Sequence, residues 1–121
     1  MIKELLIKIK LRLLGLKYID VSDRALYEYK NFVRDNNTED DFTLKLKLNR
    51  NYACSKTEID FEDTIVKKYG NLNIVYSKSE NKIITVNNNK GRQRRFYIDK
   101  AIKDKYDAVL NKDKVGVLCV E

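Results

Sequence analysis

The sequence predicts an α+β domain in which N-terminal helices pack on one face of a small antiparallel sheet, with an additional C-terminal helix and short strand. Three observations carry that expectation. Apolar residues recur at helical spacing near residues 23–34 and 99–110, and two β-rich runs between residues 71 and 86 flank a polar turn. The 121 residues also contain no proline, four glycines and no linker-like tract, so residues 1–121 read as a single domain.

The first element, residues 1–17, carries two competing periods. As a helix it has a main apolar stripe (Ile2, Leu5, Leu6, Ile9, Leu13, Leu16) and a second on the far side (Ile7, Leu11, Leu14). As a strand, residues 7–13 alternate cleanly. Leu and Lys are good helix formers, so the expectation is a helix that docks on the core or on a partner, with membrane-surface binding as the alternative. Lys8, Lys10 and Arg12 interrupt the apolar stretch, which predicts neither a transmembrane segment nor a signal peptide.

Asp20 or Ser22 can cap a helix over about 23–34, with Ala25, Leu26, Tyr29, Phe32 and Val33 on its apolar face. The next element has two readings. Thr38 followed by Asp41 imitates a capping box and starts a helix over about 39–48, while Phe42, Leu44, Leu46 and Leu48 alternate with polar residues like a half-buried strand.

Residues 71–76 and 82–86 form a hairpin around a turn at Ser77 to Asn81, because both arms are rich in β-branched or aromatic residues. Asn87, Asn88, Asn89, Lys90 and Gly91 read as a loop. Ile102, Tyr106, Val109 and Leu110 then mark one face of a helix over 99–110, and a short strand at about 115–120 closes the chain.

The net charge of +7 comes from one segment. Residues 64–97 hold Lys67, Lys68, Lys78, Lys82, Lys90, Arg92, Arg94 and Arg95 against Glu80 alone, interleaved with Tyr69, Tyr76, Phe96 and Tyr97. Cations neutralise phosphates and rings stack on unpaired bases, so the expected partner is nucleic acid, RNA in particular. A lysine-rich surface in a chain whose Asn, Ile, Lys and Tyr content fits an AT-rich genome accounts for the same residues without a ligand.

The absence of histidine removes every mechanism that needs an imidazole, the Ser-His-Asp and Cys-His arrangements included. Cys54 and Cys119 have no Cys-x-x-Cys or histidine beside them, which excludes a structural zinc site; reduced thiols of a cytoplasmic protein are expected, with a disulfide between the two left open. No cofactor is expected. Glu58, Asp60 and Glu62 share one face if residues 58–62 are a strand and could hold Mg²⁺, although adjacent exposed carboxylates are usually just solvated.

Cleavage of RNA through its 2′-hydroxyl needs proton removal, proton delivery and positive charge on the transition state, which Lys, Tyr, Arg and Glu can share without histidine. Arg92, Arg94 and Arg95 can hold phosphate oxygens, while Tyr97, Tyr76 or a lysine of lowered pKa can move protons. Lys67, Lys68 and Lys90 complete the basic surface.

Residues 18–29, Gly70 to Tyr76, Ile83 to Val86 and Arg94-Arg95-Phe96-Tyr97 together resemble the RelE/ParE-like toxins and related small phage and polymorphic-toxin domains, over about residues 18–97. The resemblance implies helices on one face of an antiparallel sheet, a metal-independent endoribonuclease acting on mRNA or tRNA, and an acidic antitoxin as partner. It places Arg94 or Arg95 and Tyr97 on the family's C-terminal arginine and tyrosine. Asn73 stands where the family usually has an arginine. The alternative is a phage or mobile-element protein that inhibits a host protein or nucleic acid by binding, without chemistry.

Overall fold

The computed structural model describes residues 2–34, 39–88 and 99–115, the last five as backbone. In chain order these form α1 (Ile2–Leu13), β1 (Asp20–Val21), α2 (Asp23–Val33), α3 (Asp41–Cys54), β2 (Glu58–Asp60), β3 (Thr64–Tyr69), β4 (Leu72–Ser77), β5 (Lys82–Asn88) and α4 (Lys100–Val115). The α+β class is as the sequence predicts. The sheet, ordered β1-β5-β4-β3-β2, is mixed rather than purely antiparallel, because the two residues of β1 run parallel to β5. Two residues cannot show a period, so nothing in the sequence marks β1.

The predicted hairpin is β4 and β5, joined with Ile74 opposite Val86 and Tyr76 opposite Ile83 across a bulge at Val75/Tyr76. Asn87 and Asn88 belong to β5, not to the loop expected there. The strand β3, which the sequence pattern does not single out, meets β4 through a two-residue turn in which Gly70 takes φ +62°, as the first central position of a II′ turn requires.

Local chemistry fixes the helix ends. After α1 the Leu16 N–H donates to Leu11 O at 2.8 Å and the Gly15 N–H to Arg12 O at 3.0 Å, a Schellman closure that Gly15 permits with φ +81°. Ser22 is the cap of α2: its Oγ accepts from the Ala25 N–H and donates to Ile84 O, so one hydroxyl starts the helix and ties it to β5. Asp40, not Thr38, caps α3 by accepting from the Thr43 N–H at 2.7 Å. Thr38 lies outside the described residues.

The alternating run at residues 42–48 is helix. At 100° per residue, positions 42 and 46 fall on one side of a helix and 44 and 48 on the opposite side, so alternation is what a helix lying between two cores shows. Leu44, Leu48 and Tyr52 join Val21, Leu26, Tyr29, Leu72, Ile74, Ile83 and Val86 in a core between the helices and the sheet. Phe42 and Leu46 join Ile7, Leu11, Tyr106, Val109 and Leu110 in a second core between α1, α3 and α4.

The first helix therefore packs on other helices and not on the sheet, correcting the expected layering. Its contact residues are Ile7 and Leu11, from the minor stripe; Ile2, Leu5, Leu6, Ile9 and Leu13 of the main stripe are exposed. The helix α4 runs past Leu110 to Val115, where the closing strand was expected to begin, and residues 116–120 lie outside the described residues. It is held by an ion pair of 2.7 Å between Arg50 and Asp107 and by Tyr106, whose hydroxyl donates to Lys17 O.

Candidate nucleic-acid interface

Both described sheet-packing helices, α2 and α3, cover the face that carries Leu72 and Ile74, so the side chains between them point to the opposite face. No described helix packs there. One rung across that bare face is Lys68 opposite Asn73 opposite Asn87, spanning β3, β4 and β5 over about 10 Å. Val66 and Val75 form the next rung, a flat apolar patch beside the polar one.

The backbone of Lys68 is anchored on its other side. Its N–H donates to Thr57 O at 3.2 Å, and its carbonyl accepts from the Ser55 hydroxyl. Its ammonium makes no ion pair among the described residues. The Lys68 ammonium at one end of this rung and the exposed Asn87 amide at the other can engage phosphate and base edges together. Between them, Asn73 has a buried Oδ1 that accepts no hydrogen bond among the described residues.

Lys67 is turned the other way, by the period of two that separates it from Lys68. Its Nζ sits 4.6 Å from the centre of the Tyr52 ring, which in turn lies 5.8 Å from Tyr76. Burial lowers the Lys67 pKa and raises that of Tyr52. Glu58 stands opposite Lys67 on β2, and an acidic neighbour opposes phosphate binding there. The adjacent lysines are thus split between one packed on Tyr52 and one on the sheet face that no described helix covers.

The other candidates divide as follows. Lys78 is paired with Asp60 at 2.7 Å, and the Tyr76 hydroxyl donates to Asn81 in the turn, so neither is aimed at a ligand. Lys82 lies on β5 opposite Asp20. Lys90, Arg92, Arg94, Arg95 and Tyr97 lie outside the described residues; their segment follows Asn88, next to Asn87 of the bare-face rung. The carboxylate face does not form: β2 ends at Asp60, Glu62 is beyond it, and among the described residues no three acidic or cysteine side chains gather to hold a metal. Cys54 is a buried free thiol whose pKa burial pushes up, and Cys119 is outside the described residues.

Sequence reasoning missed Asn73 and Asn87 as site residues. The signal available was the register of the hairpin, since pairing Ile74 with Val86 puts Asn73 beside Asn87.

The fold and this surface define a small α+β domain with helices on one sheet face and a polar, basic rung on the other. The chain belongs to the YorE family, whose model matches residues 19–113. That match spans the sheet, the basic segment and most of α4, begins after α1, and names no activity. No curated protein and no solved structure matches the chain. No described helix is long and apolar enough to cross a membrane.

Proposed function

We propose that this protein is a small nucleic-acid-directed domain that engages RNA across the bare face of its sheet, as a toxin-like ribonuclease acting without histidine. The observation that carries the reading is the Lys68–Asn73–Asn87 rung, which adjoins the start of the segment bearing Lys90, Arg92, Arg94 and Arg95. In this reading the rung and the segment hold the phosphate backbone, a lysine of lowered pKa takes the proton of the attacking 2′-hydroxyl, Arg95 stabilises the charge that builds on the phosphate, and Tyr97 protonates the leaving 5′-oxygen.

The test is to incubate the purified chain with ribosomes, tRNA and bare mRNA and to follow both binding and cleavage. Binding should weaken steeply with salt, with a log-log slope of roughly −3 to −5 for four to six phosphate contacts. A flat salt response would remove the electrostatic reading altogether.

A second reading, an inhibitor that binds a host protein or nucleic acid without chemistry and of phage or mobile-element type, is favoured by a separate observation. Among the described residues no acid and base converge: Tyr76 is engaged by Asn81, Lys67 by Tyr52 and Lys78 by Asp60. Intact RNA together with one stoichiometric protein partner in a pull-down would decide for it.

A further inference from the structure

The outward face of α1 carries five large aliphatic side chains that no described element covers. Ile2 and Leu13 are 73 % and 80 % exposed, with Leu5, Leu6 and Ile9 between them. At 100° per residue these five fall within an arc of about 100°, nearly opposite the side on which Ile7 and Leu11 dock. Cations border both edges: Lys10 on one, with Lys3 paired to Asp40, and Arg12 on the other, with Lys8 over the Tyr18 ring. The only acid of the helix, Glu4, is on the docked side. Beside the stripe, a cleft with Leu5, Ile9, Leu16 and Tyr18 in its walls and Lys8, Arg12 and Lys17 at its rim extends the same mixture of apolar and basic groups.

We infer that this face is a docking surface for an anionic lipid bilayer, with the aliphatic arc entering the acyl boundary and the flanking cations meeting headgroup phosphates. Lysine and arginine stems reach along apolar surface while their charges stay at the interface, so cations at both edges suit that depth. A second copy of the chain is disfavoured because both edges are positive, and two such stripes face to face oppose like charges in either orientation. A protein groove is disfavoured by composition, since the arc itself holds Ile and Leu alone and the nearby Tyr18 ring is already packed on Lys8 and Phe42, unlike the aromatic anchors that dominate protein hot spots. The membrane surface and the RNA surface use different groups, α1 for one and the bare sheet face for the other.

The chain has no tryptophan, so Ile9→Trp in the full-length protein reports on this face alone. With vesicles of equal parts phosphatidylcholine and phosphatidylglycerol, its emission should shift to the blue and be quenched by acyl-chain-brominated lipid. Neutral phosphatidylcholine vesicles should bind at least about tenfold more weakly. Leu5→Ser with Leu13→Ser, which leaves every charge in place and alters only exposed positions, should reduce vesicle binding by about tenfold or more while circular dichroism stays unchanged. Vesicle binding without a spectral shift, or untouched by the serine pair, would mean that other cations make the contact and would overturn the assignment. So would a dimer in sedimentation that the serine pair abolishes, or a stoichiometric acidic protein whose binding shifts the Ile9→Trp emission when vesicles do not.

Discussion

Asn49 binds both backbone groups of Ile19: its Oδ1 accepts from the Ile19 N–H at 2.6 Å and its Nδ2 donates to Ile19 O at 2.8 Å. The amide stands in for a strand partner at the point where the chain passes from α1 to β1, and Nδ2 also donates to Lys45 O one turn back. Asn49 is 1 % exposed, so water cannot replace it. Asn49→Ala should cost roughly 2 to 4 kcal/mol in urea unfolding, because two backbone groups lose their partner in a closed site. A loss below about 0.5 kcal/mol would show that the link is dispensable.

Acid should loosen the fold at the edge of β5 and between α3 and α4. Burial alone would raise the Glu28 carboxyl, but donors from Thr85, the Val86 N–H and Arg24 outweigh it and hold the pKa below the ordinary value. Asp107 behaves alike, burial being outweighed by Arg50 and Lys103. A depressed folded pKa gives stability that is present above the unfolded value and lost as pH falls through the folded one. Stability should therefore be level from neutral pH down to about 5 and fall below roughly pH 4. Glu28→Gln should flatten part of that fall in a series of urea titrations, and an unchanged pH profile would contradict the assignment.

The neighbours Lys67 and Lys68 should separate in experiment. Lys68→Ala should weaken RNA binding and reduce the magnitude of the salt slope by about one, since one fewer phosphate is neutralised, with stability within about ±0.5 kcal/mol. Lys67→Ala should instead lower stability by removing its packing on Tyr52, by about 0.5 to 1 kcal/mol, and leave the salt slope unchanged. Equal effects of the two on RNA affinity would refute the bare-face interface.

Tyr97→Phe keeps the ring and removes only the hydroxyl. If Tyr97 moves a proton, RNA cleavage should drop by about 100-fold or more while binding is kept. The Arg94→Ala and Arg95→Ala double variant should lose both. Full cleavage by both variants would remove this segment as the reactive site.

The sequence by itself determined the class and the hairpin and narrowed the cap of α2 to Asp20 or Ser22, of which the structure uses Ser22, because those rest on nearest-neighbour chemistry: Ser22 needs only Ala25 three residues on, and β-branched arms need only a polar turn. Likewise the charge of residues 64–97 is a property of composition. What tertiary structure decided was which face each residue meets. The run Phe42 to Leu48 has one hydrophobic pattern and two structures that fit it, and the presence of a second core against α1 and α4 selects helix. The same holds for α1, where the shorter stripe docks and the longer one stays outside, since burial follows the shape of the surface that α3 and α4 present and not the number of apolar residues offered. Lys67 and Lys68 are equivalent in sequence, and only the helices laid on one face of the sheet make one a packing residue and leave the other on the face that no described helix covers.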